Sequence, residues 1–395
     1  MKKVSSLHVL SRGLGLIRVL IRVLIGTAIL FMAPVSLVQA QQPVTSCDAA
    51  GIGAAVLSTD DGATPAIVEV STGMADSVPY CLVKVLVPQA INIWVGLPMD
   101  GNWNGRWQSV GGGGYAGMAS APNQALAAGF AAATTDTGHL IQDGGRFGML
   151  MPGQANTELQ QDFASRSEHL MAVIGKQLVR AFYNDDPVYT YWNGCSTGGR
   201  QGLRMAQDYP DDYDGILAGA PAIHWDRFQA THLWHPMVML RENGGPIGGG
   251  DRVALPAKQQ LATDKAIAAC DAIDGVTDGV LDDPLQCTYS AAADSSITTT
   301  ACTATDATCL TPGEASSIDL MWLGPVACSD GSSSCVVTRM ADRNLAGSGN
   351  KRLWYGSVRS TPLTALGGAM PFFIGTEQAK YWVYFDPDWD WTSLN

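Results

Sequence analysis

The sequence predicts an α/β fold with a largely parallel sheet. Two observations carry that expectation. β-rich and helical stretches alternate through the first 222 residues, and strands separated by helices build parallel sheets. A Gly-x-Ser-x-Gly pattern, Gly194 to Gly198, lies where one such strand hands over to a helix.

The first 40 residues stand apart. They hold Lys2, Lys3, Arg12, Arg18 and Arg22 and no acid, then an apolar stretch from Ile25 that ends in Val38-Gln39-Ala40. A basic start, an apolar middle and small residues at the end describe a secretory signal peptide cut after Ala40. A retained anchor is the other reading of Leu14 to Val38. Arg18 and Arg22 interrupt that run, however, and a spanning helix needs roughly 20 apolar residues. The expected product is secreted or periplasmic, with no stable membrane anchor once the signal is cleaved. Its 355 residues carry 19 Lys and Arg against 36 Asp and Glu, a net charge near −17. Nucleic acid and anionic membranes are poor partners for such a surface. Nothing in the sequence sets the oligomeric state.

Residues 66–98 read as strands, with Ile91, Ile93 and Val95 on one face. A short strand then runs into the glycines 111–114, and residues 129–139 read as a buried strand. A helix is expected over about 158–183, where Leu170, Val173, Ile174, Leu178 and Phe182 recur at helical spacing. Residues 187–193 form a strand, the segment after Ser196 a helix, and residues 215–222 another buried strand. Beyond residue 223 the texture changes to glycine-rich and Ala/Ser/Thr-rich stretches, with most cysteines between 270 and 335. The expected organisation is a first core part over 41–222, an inserted loop-rich, disulfide-rich domain over 223–375, and a return to the core over 376–395.

An exported chain can oxidise its nine cysteines. Cys302/Cys309 and Cys328/Cys335 are close pairs, Cys270/Cys287 brackets one loop, and Cys47/Cys81 is the natural N-terminal pair. Spacing alone does not fix connectivity. This scheme leaves Cys195 unpaired, next to Ser196.

Ser196 is the candidate nucleophile. Gly194 and Gly198 remove side chains that would clash in a tight strand–turn–helix, and the helix N-terminus favours negative charge. The Thr197 N–H would supply half of an oxyanion hole. Gly112 and Gly113, where bare backbone approaches a ligand closely, would supply the other half. The competing reading is an ordinary glycine-lined turn.

Several separated stretches resemble the tannase/feruloyl esterase family: "WNGR" with "GGGGYAG", "TDTGH", "YWNGCSTGGRQGL", "YPDDYDGILAGAPA" and "CDAIDGVTDGVLDDPLQC". The resemblance implies a secreted serine esterase with an α/β-hydrolase core and a calcium-binding lid, here residues 223–375. It implies aromatic acid esters, such as gallates or hydroxycinnamates, as substrates. Lid aromatics Trp354 and Phe372, with Tyr355 and Phe373, would pack on the ring or equally form lid core. The family places one cysteine before the nucleophilic serine and another before the catalytic histidine, joined as a disulfide. Cys195 matches the first.

On this fold a triad runs Ser, Asp, His along the chain. Past the leader only His139, His169, His224, His232 and His235 occur, and none follows a cysteine. His139 is expected in a local polar role and His169 on the helix surface. The expectation is therefore that the acid, the base and the partner of Cys195 were encoded beyond Asn395. This chain would then be a fragment with impaired activity. The alternative is a truncated or degenerate non-catalytic protein that binds a ligand and is stabilised by calcium.

The loop 270–287 sets Asp271, Asp274 and Asp278 around Gly275 and Gly279. Clustered carboxylates with tight glycine turns suit a hard cation. The resemblance implies structural Ca2+ held by those three carboxylates and the main-chain oxygens of Val276 and Val280.

Overall fold

The computed structural model describes residues 42–115, 117–329, 351–363 and 368–394. The leader and Cys335 lie outside the described residues.

A seven-stranded sheet organises the first core. Its strands are β1 (Ala66–Ala75), β2 (Val78–Val87), β3 (Ile91–Pro98), β4 (Arg106–Val110), β5 (Ala131–Thr135), β6 (Tyr189–Cys195) and β7 (Gly215–Gly219), in the order β1-β2-β3-β5-β4-β6-β7. The sheet is mixed rather than largely parallel. β1, β2 and β3 follow one another through short turns and pair antiparallel, as β3 and β5 do. A tight turn can only reverse the chain, whereas a parallel neighbour needs a crossover. The parallel pairings are β5/β4, β4/β6 and β6/β7. β-branched residues explain β2 and β3: Val83, Val85, Val87, Ile91, Ile93 and Val95 are all fully buried.

Helix α1 (Ser167–Tyr183) lays Leu170, Met171, Ile174, Leu178 and Phe182 on this sheet. Gly175 is required there, because a Cβ at that position would meet the Trp107 ring at 2.0 Å. The expected helix over 158–183 is broken at its start: a turn capped by Asn156 leads into a π-helical turn, Asp162–Arg166, before α1. Helix α2 (Thr197–Asp208) follows β6 directly.

Residues beyond 223 contain three helices that the sequence reading did not place: α3 (Trp225–Asn243), α4 (Ala254–Cys270) and α5 (Pro312–Leu323). They share a second hydrophobic core that includes Val238, Met239, Ala262, Ala266, Ile318 and Met321. α5 starts with a capping box in which Thr311 and Glu314 satisfy each other's backbone N–H. Glu314 also accepts Lys258 Nζ at 2.7 Å and Gly248 N at 2.8 Å inside this core. The chain then returns through α6 (Phe373–Gln378). Ile374 packs there with Tyr115, Phe147 and Phe163 of the first core. Among the described residues, no helix is long and apolar enough to cross a membrane.

The bridges Cys47–Cys81, Cys270–Cys287 and Cys302–Cys309 form as the spacing suggested, and Cys195 is free and exposed. Cys328 is disulfide-bonded too.

His169 is not the surface residue its helical position suggested. Nδ1 lies 2.7 Å from Asp212 and Nε2 2.8 Å from Asp60, with the ring stacked on Tyr209. Burial lowers its pKa, but the two carboxylates outweigh burial and raise it overall. A raised folded pKa contributes stability that is complete below the unfolded value near 6.5 and lost as pH rises through the folded one. Urea unfolding of His169→Gln should therefore show about 1–2 kcal/mol lost at pH 5.5 and a smaller deficit at pH 9. An equal deficit at both pH values would contradict this account.

Candidate active site

β6 ends at Cys195, and the chain turns at once into α2. Ser196 makes that turn with φ +60° and ψ −119°, a region that a side-chain-bearing residue adopts only when its surroundings enforce it. Three backbone bonds enforce it here. Ser196 N donates to Gly219 O of β7 at 3.1 Å, and Ser196 O accepts from Ala222 N at 3.0 Å and Arg200 N at 3.1 Å. The side chain is exposed and makes no capping bond, so Oγ is left facing outward at the head of a helix.

Glycines permit this turn by contact. A Cβ on Gly194 would meet Gly198 O at 2.5 Å, and one on Gly199 would meet Gly219 O at 2.3 Å. Gly111 packs so closely on the head of α2 that its Cβ would lie 2.7 Å from Gly198 Cα. Thr197, itself buried, fastens the two walls by donating Oγ1 to Gly114 O at 2.6 Å. As the first residue of α2, Thr197 has no helical partner for its N–H.

The glycine run divides in a way that the sequence did not reveal. Gly112 N donates to Gln201 Oε1 at 3.1 Å, so this amide points into the protein rather than at the cleft. Gly113 is exposed, with nothing within 4 Å of its Cβ position. Gln201 is held in turn by Glu168, whose carboxylate accepts Gln201 Nε2 and, at 3.0 Å, Ser167 Oγ. Glu168 is completely buried, and burial pushes its pKa up to about 7 despite the nearby Arg200 charge. Arg200 lies over the Phe163 and Trp225 rings, 4.8 and 5.7 Å from their centroids.

The family model described as "Tannase and feruloyl esterase" matches residues 81–359. The chain belongs to the tannase and feruloyl esterase family. A probable feruloyl esterase of Arthroderma benhamiae is 39% identical over 51% of this chain and 36% of its own length. A probable feruloyl esterase B-2 of Aspergillus terreus is 33% identical over 74% and 50%. The chain thus spans about half the length, or less, of these curated relatives. The crystal structure of feruloyl esterase B from Aspergillus oryzae superposes with a TM-score of 0.64 at 25% identity, covering 84% of this chain and 64% of that one. The tannin acyl hydrolase of Aspergillus niger shares the fold, with a TM-score of 0.60. The core is accordingly of the α/β-hydrolase type that the resemblance implied.

No histidine among the described residues hydrogen-bonds Ser196. His139 is locked between Tyr115 O, Thr137 and the Phe147 ring, in the local polar role expected of it. His232 binds Gln229 Oε1 at 3.0 Å, and burial, helped by His235, lowers its pKa to about 4. His235 Nε2 lies 3.0 Å from Ser357 Oγ. His224 is exposed and holds a left-handed backbone at the head of α3.

The acidic loop turns as expected at Gly275 (φ +95°) and Gly279 (φ +82°). Asp271 Oδ1 accepts Gly279 N at 2.9 Å, Asp274 Oδ1 accepts Val276 N at 2.9 Å, and Asp278 Oδ1 accepts Val280 N at 3.1 Å. The three carboxylates do not converge, since no trio of their oxygens lies mutually within 4.8 Å. Of the sequence-nominated aromatics, Phe372 meets His232 and Phe373 edge-on and is partly exposed. Trp354 lines a cavity that contains neither Ser196 nor the glycine run.

Glu168 gains a proton more readily in the folded chain than in the unfolded one. Stability should be highest below its ordinary value of 4.5 and fall as pH rises through about 7. That shift corresponds to about 3 kcal/mol. Glu168→Gln should flatten this dependence in chemical unfolding between pH 4.5 and 8. Gln201→Leu should lose about 1–3 kcal/mol at pH 4.5, because the Gly112 amide is left buried without an acceptor, and more at pH 8, where the charged Glu168 also loses its Nε2 donor.

Proposed function

We propose that this chain carries the nucleophilic part of a carboxylic ester hydrolase acting on aromatic esters, with Ser196 as the nucleophile. The observation that carries the reading is the constrained backbone of Ser196 at a strand–helix junction, its hydroxyl exposed and its flanking glycines packed against a second glycine loop. The family relatives named as feruloyl esterases support the substrate class.

In the proposed reaction Ser196 Oγ attacks the ester carbonyl and gives up its proton to a base. The tetrahedral oxyanion is met by the Thr197 N–H and the Gly113 N–H, with Gly112 kept as a structural amide. Collapse expels the alcohol, which takes a proton, and leaves an acyl-serine that water hydrolyses to the acid. The described residues hold no base in hydrogen-bond contact with Ser196, so the serine here is a weak nucleophile. Loss of triad members slows serine hydrolases by roughly 10⁴- to 10⁶-fold. Phe372 and Phe373 offer apolar surface for the ring of the acyl group.

The 270–287 loop is proposed as a structural calcium site. Its donors suit a hard cation in kind: carboxylates of Asp271, Asp274 and Asp278, and carbonyls of Val276 and Val280. The Cys270–Cys287 bridge closes the loop. Calcium would fix the loop and has no part in the ester chemistry. The disulfides favour an oxidising, exported setting.

Incubated with a fluorophosphonate probe, the chain should label only at Ser196, and slowly; Ser196→Ala should not label. Its hydrolysis of methyl ferulate should be at least about 10⁴-fold below that of ordinary serine esterases. Rapid, complete labelling, or labelling elsewhere, would defeat the proposal. Added Ca2+ should raise the melting temperature of the wild type by several degrees and leave Asp271→Asn/Asp274→Asn unmoved. No response of the wild type would remove the calcium assignment.

A further inference from the structure

Helix α2 anchors the glycine loop twice from one face. Thr197 and Gln201 are four residues apart, and such pairs are neighbours on a helix surface. Thr197 Oγ1 donates to Gly114 O at 2.6 Å, and Gln201 Oε1 accepts Gly112 N at 3.1 Å. Gly113 lies between these two fixed points. It is exposed, and its N–H has no acceptor among the described residues. The loop therefore withholds one amide and offers the next. Neither anchor holds Ser196, whose backbone is fixed by Gly219, Ala222 and Arg200.

The direction of the Gln201 amide is set from behind. Glu168 accepts Gln201 Nε2, and an ionised carboxylate can only accept. With Nε2 committed to Glu168, Oε1 is the end that faces Gly112. A flipped amide would set Nε2 against the Gly112 N–H, donor against donor. Glu168 and Gln201 are both buried, and a Cβ on Gly111 would lie 3.1 Å from Gln201 Oε1, so the amide has little room to move. Ser167 Oγ donates to the second Glu168 oxygen at 3.0 Å. Arg200, whose charge favours the carboxylate, and the buried phenol of Tyr213, which donates to Ser109 Oγ, are the titratable groups that act on Glu168.

We propose that Gln201 is a positioning residue for attack at Ser196, and that Glu168 acts through it. By holding the Gly112 amide inward, the pair fixes the peptide that follows, so that the Gly113 N–H is presented to the developing oxyanion. This rests on the reading of Ser196 as the nucleophile and specifies what aims the charge-stabilising amide beside it. Neither side chain touches the ester.

Phosphonylation of Ser196 by a fluorophosphonate builds negative charge on a phosphoryl oxygen where an ester would build its oxyanion. Its maximal rate constant, kinact, therefore reads the aimed amide, and its half-saturation concentration, KI, reads binding. In the 395-residue chain, Gln201→Leu should lower kinact about 10²-fold, the cost of a displacement of about 1 Å, and leave KI unchanged. Loss of folding lowers the fraction labelled rather than kinact. His169→Gln, destabilised away from the serine, should accordingly keep the wild-type kinact. Gln201→Glu retains an acceptor for Gly112, and at pH 6 its carboxyl shares a proton with Glu168, so it should recover most of the loss. Glu168→Gln, which lets the Gln201 amide flip, should slow labelling alone but add nothing to Gln201→Leu, as expected of residues that act as one unit. Equal kinact for Gln201→Leu and the wild type would overturn the proposal, as would a loss that folded Gln201→Glu does not recover. Additive losses would overturn the part given to Glu168. A wild type that is not labelled at Ser196 would instead overturn the nucleophile reading, and this proposal with it.

Discussion

Everything at the candidate site depends on how closely backbone meets backbone around Ser196. Gly111 against Gly198, Gly194 against Gly198 and Gly199 against Gly219 leave no room for a single Cβ. These contacts bring β4, β6, β7 and the head of α2 to one point. The strained serine conformation persists because it is held by bonds to Gly219, Ala222 and Arg200. Chemistry at such a point is rigidly aimed, because the neighbours that fix the angle are core elements rather than mobile loops.

Much of this was legible in the sequence. A serine framed by glycines between a β-rich and a helical segment has few structural solutions, and the cysteine pairs lie close enough in sequence to find each other. Other features were not legible, for physical reasons. The link from Gln201 to the Gly112 amide joins a side chain to a backbone 89 residues away, which no local pattern records. It also decides which glycine of the run is left to face a ligand. His169 reads as solvent-facing from its helix, but Asp60 reaches it across 109 residues. Helix α4 gives little signal because its buried stripe is made of Ala254, Lys258, Gln259, Ala262, Thr263 and Ala266, small or polar residues rather than large apolar ones. α5 buries Ser317 and Asp319 along with its apolar residues, so no apolar stripe stands out.

The aromatic cluster of Tyr115, Phe147, Phe163 and Trp225 is a third hydrophobic cluster, in which Ile374 and Trp382 of the returning chain meet the segments around the glycine loop. Gln378, on α6, accepts from both Tyr115 Oη and Trp225 Nε1, and Trp382 donates to Gly145 O. The glycine loop is therefore braced on one side by Gln201 and on the other by the returning chain. A disturbance of residues 373–383 would reach the Ser196 cleft through Tyr115, which lies one residue past Gly114.

β7 has a partner on one side only. Among the described residues it pairs with β6 alone, and Leu217 at its middle is 63% exposed. A strand with an unclaimed row of amides and carbonyls is a template for another strand. It lacks the lysine, proline or bulge by which sheets usually discourage such pairing. The five residues of β7 are thus an open rim of the sheet among the described residues, with backbone groups that a further strand could take up beside the Ser196 junction.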